Sequence, residues 1–225
     1  MKHFILLIVS LPFLLVSCKN PSSNTTAKEG EGHITYKVSY PDSTKYGMKS
    51  QLFPESMDLL FKNEKATFVA SGGMGTIQLV NILDSKKKEY NSLLIDAIRQ
   101  NVACKLTPDE VKENENSSSY TYEYTNDTKI IAGLECKKAI AKNSTDNSTV
   151  IIYYYDKIKF YYFNSPFRDF NYLMMEYTHT INDLTMKLEA TSIDLKTPID
   201  TTMFEVRGDF IWLHQKQFYN YLNTL

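Results

Sequence analysis

After residue 32, apolar and polar positions alternate along most of the chain. Ile34, Tyr36, Val38 and Tyr40 are separated by Thr35, Lys37 and Ser39, the period of two that marks a strand with one buried face. Pro41-Asp42-Ser43 then turns the chain. Spans 56–62 and 65–71 read as two further strands, joined at Asn63-Glu64 by a tight turn. Ser71-Gly72-Gly73-Met74-Gly75 interrupts the pattern, 76–83 resumes it, Asp84-Ser85-Lys86-Lys87 turns again, and 88–94 follows. Span 91–104 supports two readings. Leu94, Ile98 and Val102 have helical spacing, whereas Val102, Cys104 and Leu106 would open a strand. Residues 112–119, containing Glu113-Asn114-Glu115-Asn116, read as a solvated loop.

The second half is more regular. Tyr120-Thr121-Tyr122-Glu123-Tyr124 alternates, 129–132 and 136–142 flank a turn at Gly133, and 143–148 is a polar hairpin loop. Spans 150–155 and 159–163 are strongly β in composition, and 173–180 with 184–195 reads as a long antiparallel pair turning at Asn182-Asp183. Span 210–225 has the spacing of a terminal helix, with Ile211, Phe218 and Leu222 near one face. The composition agrees, with 16 Tyr and 12 Phe favouring strands. Short strands joined by local turns predict a mainly β domain built on an antiparallel sheet, with one or two short helices.

The N-terminus follows a different pattern. Met1-Lys2-His3 is a short basic start, and 4–16 is an apolar run interrupted by Pro12. That run is too short for a comfortable membrane span and has the length of a signal-peptide core. Leu15-Val16-Ser17-Cys18 resembles the bacterial lipobox, in which a small residue precedes the cleavage site and a thiol follows it. The sulfur is required as the nucleophile that forms a thioether to a diacylglyceryl group; after cleavage the amine of Cys18 can also be acylated. Two or three acyl chains together anchor firmly where one binds marginally. The expectation is a signal peptide over 1–17, a lipidated Cys18 and a polar tether over 18–32, a β domain over 33–209 and a helical extension over 210–225. The alternatives are a secretory signal with a chance cysteine and an uncleaved membrane helix. Fully extended, the tether reaches on the order of 45 Å. Lys19-Asn20 lacks the aspartate that retains such proteins at the inner membrane of enteric bacteria, and an acidic export run is also lacking. The expected place is therefore the outer membrane facing the periplasm, with surface exposure as the alternative.

Charge and chemistry narrow the function mainly by exclusion. Loss of residues 1–17 removes Lys2 and no acidic residue, leaving 24 basic against 26 acidic side chains. With no basic excess, nucleic acid is not an expected partner. Cys104 and Cys136 are the remaining cysteines, either a disulfide in an oxidising compartment or two buried free thiols. His33, His179 and His214 fall in no metal-binding pattern, and no Gly-x-Ser-x-Gly elbow is present. Gly72-Gly73-Met74-Gly75 lacks the Lys-Ser/Thr of a phosphate loop. No enzymatic activity, metal or cofactor is expected, apart from the covalent lipid on Cys18. The aromatic runs Tyr153-Tyr154-Tyr155 and Tyr161-Tyr162-Phe163 support two readings. One is a core on one face with a tyrosine-covered surface on the other. The second is a concave face that holds an apolar ligand, with Tyr153, Tyr155, Tyr161, Phe163, Tyr177 and His179 as ligand-binding candidates.

The stretch Thr128-Lys129-Ile130-Ile131-Ala132-Gly133-Leu134-Glu135-Cys136-Lys137-Lys138-Ala139 resembles the T-K-x-I-x-G-x-x-C-K-K-A segment of an uncharacterised bacterial lipoprotein family with a domain of unknown function. That family is similar to GLPGLI-type proteins and, more distantly, to LolA/LolB-like lipoprotein carriers. Pro166-Phe167 ahead of 172–177, Glu189-Ala190-Thr191, and Ile199-Asp200-Thr201-Thr202-Met203-Phe204-Glu205-Val206 match its later elements. Val206-Arg207-Gly208 stands where the family has a proline, and the terminal extension is unmatched. The resemblance implies a LolA-like half-barrel around an apolar cavity, and it implies no catalytic residues. The resulting expectation is a membrane-tethered, non-enzymatic protein that binds a lipid or other apolar ligand in its concave face. The alternative is an envelope scaffold that grips another envelope protein.

Overall fold

Alternation of the kind seen in 34–40 recurs often enough to build a single sheet. The computed structural model describes residues 30–116, 119–162, 165–181 and 184–224; Cys18, nearly all of the tether and Phe163 lie outside them. The strands are β1 (Glu31–Ser39), β2 (Ser56–Lys62), β3 (Lys65–Gly72), β4 (Ile77–Asp84), β5 (Glu89–Asp96), β6 (Val102–Lys105), β7 (Tyr120–Ile131), β8 (Leu134–Asn143), β9 (Thr149–Lys159), β10 (Tyr172–Ile181), β11 (Leu184–Asp194) and β12 (Ile211–Trp212). Two helices, α1 (Pro108–Asn116) and α2 (Gln215–Leu222), complete the regular structure with three short 3-10 segments. The fold is mainly β, a curved and unclosed sheet of the half-barrel kind.

Topology follows from local turns. The spatial order is β12-β6-β5-β4-β3-β2-β1-β11-β10-β9-β8-β7, so β1 to β6 run outward from the centre as hairpins. The chain then crosses to the far edge and returns through β7 to β11, which pairs with β1. All pairs are antiparallel except β12 with β6.

Register decides which side chains face inward. Tyr36 lies opposite Met57, Val38 opposite Leu188, and Leu188 opposite Tyr177. Directly opposed residues share a face, so these line the concave side with Ile34, Leu59 and Phe61. At the centre of the sheet Gly32 is required by space: a Cβ there would lie 2.6 Å from Leu195 Cδ2 and 2.8 Å from Phe61 Cζ. The convex side of β2 and β3 is crossed by the chain after β11. Lys62 Nζ donates to the carbonyl of Ile199 at 3.0 Å, and Thr67 Oγ1 donates to that of Met203 at 2.8 Å.

The structure corrects some expectations and decides between the alternatives of others. The tether was expected to run through Gly32, but β1 begins at Glu31, whose carboxylate pairs with Lys62 at 2.8 Å. Residues 112–119 were expected to be loop, but α1 runs through Asn116. Thr107 and Glu110 cap its start, Glu110 N–H donating to Thr107 Oγ1 at 3.3 Å and Thr107 N–H to Glu110 Oε2 at 2.7 Å. Span 91–104 resolves into β5, a turn and β6; the Asp96 carboxylate accepts the N–H groups of Ile98 and Arg99 and makes the turn. The strand expected over 159–163 does not form over its described part: β9 ends at Lys159 and 160–162 are outside the sheet. Span 210–225 is not one helix but β12 followed by α2. Cys104 and Cys136 form no disulfide. Cys104 is buried on β6 with Leu94, Val111 and Phe218, whereas Cys136 is buried on β8 in the main core with Ile131 and Met175.

Candidate functional site

The concave face is largely filled by the chain itself. Between β9 and β10, residues 160–162 and 165–171 leave the sheet and fold inward, burying Phe160, Tyr162, Phe167 and Phe170. Phe170 meets the rings of Tyr122 and Tyr154 at 5.0 and 5.3 Å. Phe167 stacks on Tyr120 at 5.0 Å and approaches Tyr177 and His179 at 5.9 and 5.6 Å. Phe160 stands edge-on to Phe61 at 5.7 Å. Aromatic pairs in these geometries add attraction beyond their buried area.

Strand β10 divides its pairing between its neighbours. Its first half pairs with β9 as far as Glu176 opposite Tyr153, and pairing with β11 begins only at Glu176 opposite Glu189. A register shift between Met174 and Glu176 marks the change. Two buried tyrosines serve the backbone there: Met174 N–H donates to Tyr162 Oη at 2.6 Å, and Tyr36 Oη donates to the Met174 carbonyl at 2.8 Å. Burial drives both phenols well above their ordinary ionisation range, so both remain neutral.

Two spaces result. One is an apolar cavity of about 190 Å³ between the concave face and the inserted segment, lined by residues that include Val38, Phe68, Phe167, Met174, Tyr177 and His179. The other is a wider cleft of about 820 Å³ beside the unpaired ends of β9 and β10, which Tyr120, Ile151, Tyr153, Thr178 and Lys187 help to line. Tyr177 and His179 border both. Burial depresses the His179 imidazole to about 4, so the ring is neutral near pH 7.

Comparison with known proteins bears on the fold. No family model matches the sequence, and no curated protein matches it. Among solved structures the chain is similar to PNGF-II. In its C2 form the TM-score is 0.51 at 15% identity, over 85% of this chain and 32% of that one. In its P21 form the TM-score is 0.52 at 16% identity, over 85% and 33%. The chain thus spans about a third of the length of PNGF-II, and at this identity the likeness is one of fold alone.

The structure separates the expected ligand-binding residues. Tyr177 and His179 line the cavity. Tyr153 does not: it lies opposite Glu176 and Lys138 on the convex face, with Lys129 Nζ 5.5 Å from its ring centroid. Tyr155, two residues on, shares that face. Tyr161 is exposed at the start of the inserted segment. The inward members of the aromatic runs are instead Tyr154 and Tyr162, with Asn81, Phe167 and Phe170 added from elsewhere. In a run such as Tyr153-Tyr154-Tyr155 both parities are aromatic, so alternation could not say which face turns inward.

Several titratable groups outside the cavity are held in ion pairs or helix caps. Burial opposes ionisation of Glu176, but hydrogen bonds from Lys129 and Lys187 outweigh it and hold the carboxyl below its usual range. His214 caps α2. His33 Nε2 meets Asp58 Oδ1 at 2.9 Å, and Thr35 Oγ1 donates to the same oxygen at 2.8 Å, on the half-exposed convex face. Among the described residues, no group of three or more His, Cys, Asp and Glu could hold a metal ion, and no helix is long and apolar enough to cross a membrane.

Proposed function

We propose that the chain is a bacterial lipoprotein, anchored through a lipid on Cys18, that binds a lipid or other apolar ligand in its half-barrel without catalysing a reaction. The observation that carries this reading is the apolar cavity of about 190 Å³ between the curved sheet and the inserted residues Tyr162, Ser165 and Phe167. The lipobox-like Leu15-Val16-Ser17-Cys18 and the resemblance to GLPGLI-type and LolA/LolB-like proteins support the same reading. The proposed place is the outer membrane, facing the periplasm. A ligand reaches the cavity through the cleft between β9 and β10, past Tyr177 and His179. A ligand larger than the cavity displaces Phe167.

Native mass spectrometry of the purified chain tests the binding step. The expected result is a bound apolar species that organic extraction recovers; a clean unliganded mass with nothing extracted overturns the reading. Labelled palmitate tests the anchor: it is expected in the wild type and not in Cys18→Ser, and equal labelling refutes it.

One observation favours a second reading, an envelope scaffold. Met48, Met74 and Ile98 are strongly exposed on connections that meet at one end of the sheet. There Ala97 N–H donates to the Thr76 carbonyl at 2.9 Å, and Gly72 is packed so close to the Leu52 carbonyl that a Cβ would lie 2.2 Å from it. In-cell crosslinking at Met74 separates the two readings. Repeated recovery of one protein partner favours the scaffold, and recovery of none removes it.

A further inference from the structure

The cavity has a chemical selectivity that its shape alone does not convey. Among the described residues that line it, none is Asp, Glu, Lys or Arg. Several of its polar groups are already engaged. Tyr162 Oη accepts from Met174 N–H at 2.6 Å, Tyr40 Oη donates to the Pro54 carbonyl at 2.8 Å, and Ser165 Oγ accepts from Phe167 N–H at 3.2 Å. Asn81 is different. Ser92 Oγ donates to Asn81 Oδ1 at 2.6 Å, which occupies the amide oxygen and leaves the two amide N–H donors for another acceptor. Tyr177 and His179 line the same cavity as Asn81. The imidazole carries no charge near pH 7, because burial disfavours its protonated form.

We infer that the part of the ligand seated in this cavity is uncharged and carries a hydrogen-bond acceptor held by the Asn81 amide. The inference rests on the reading of the cavity as a ligand site and adds the class of ligand. A carboxylate or ammonium group placed here leaves water without meeting a countercharge, and burying an unpaired ion is far costlier than burying a neutral polar group. An amide or ester carbonyl loses less hydration and regains a bond from Asn81. Free fatty acids in ionised form are therefore excluded from this position, while acyl esters, amides and neutral aromatic rings are admitted. Size agrees, since an apolar void of about 150 Å³ accepts benzene, and this one, at about 190 Å³, has room for a ring with a small substituent.

Calorimetric titration of the full chain at pH 7.5 with toluene, benzamide, benzoate and benzylammonium tests the inference. Toluene and benzamide are expected to bind, and both ions to bind at least tenfold more weakly than benzamide. Asn81→Leu is expected to weaken benzamide at least fivefold and leave toluene unchanged. Benzoate or benzylammonium binding as tightly as benzamide overturns the inference while toluene binding upholds the site. Benzamide binding unaffected in a folded Asn81→Leu overturns the role of the amide. If none of the four probes binds, the reading of the cavity as a ligand site itself fails. The comparison among ligands is made on the wild type and does not depend on the variant folding.

Discussion

Single hydroxyl groups have opposite values depending on what they meet. Tyr36 Oη holds the Met174 carbonyl where β10 has no β11 partner. Tyr36→Phe leaves that buried acceptor unpaired and is expected to cost about 1–3 kcal/mol, read as a lower urea midpoint. Tyr122 Oη is buried with no hydrogen-bond partner among the described residues. Tyr122→Phe removes an unpaired polar atom without changing the ring, so the same measurement is expected to show an unchanged or higher midpoint. His179 sets a pH dependence. Its imidazole titrates near 6.5 when unfolded and at about 4 when folded, so between those values the unfolded state binds more protons. Stability is therefore complete above pH 6.5 and falls as the pH drops towards about 4. Relative to His179→Phe, the wild type is expected to lose roughly 3 kcal/mol at most across that window, measured by denaturation at pH 7 and pH 4. An equal pH dependence in both proteins would sink this assignment.

At the scale of elements, α2 matters because of what it covers. Phe218 is buried beside Cys104, Val111 and Leu94, and burial holds the Cys104 thiol up at about 11. Truncation after Leu213 is expected to make Cys104 react with a thiol reagent under native conditions, while Cys136 in the main core remains protected. Labelling of both cysteines, or of neither, would contradict the separate packing of the two. Elements like β1 were legible in the sequence because Ile34, Tyr36 and Val38 face one way and Thr35 and Lys37 the other, so alternation and register agree. Asn63-Glu64 and Gly133 marked their hairpins for the same local reason. Helix α1 is not legible although Thr107-Pro108-Asp109-Glu110 carries a capping signature, because Val111 is its one apolar position beyond Pro108 and a single apolar position has no period. The inserted segment was missed for the opposite reason. Phe160, Tyr161 and Tyr162 have strand-like composition, and only tertiary packing against Phe61 and Phe68 turns them off the sheet. The candidate site inherits that blindness: Tyr177 and His179 were found from alternation, while Asn81 and Phe167 come from distant parts of the chain that meet only in the folded sheet.

The described residues are held by one continuous sheet and several separate apolar clusters, with Cys104 and Cys136 as free thiols. Since Cys104 and Cys136 sit in different clusters, the melting temperature is expected to be the same with and without reductant, and denatured protein prepared without reductant to show both thiols. A reductant-sensitive melting temperature would mean that the two cysteines pair. The position of β1 has a mechanical consequence. The described chain enters the fold at Gly30, directly ahead of β1, and β1 is an interior strand with seven register pairs to β11 and seven to β2. A force applied to the preceding chain acts along the axis of that strand. It shears both ladders at once instead of unzipping either bond by bond, so the load divides over the centre of the sheet while the edge strands β7 and β12 stay slack. Pulled from this end, the domain is built to resist rupture, and the same force applied at β12, where two parallel pairs hold the strand, would peel it open from the rim.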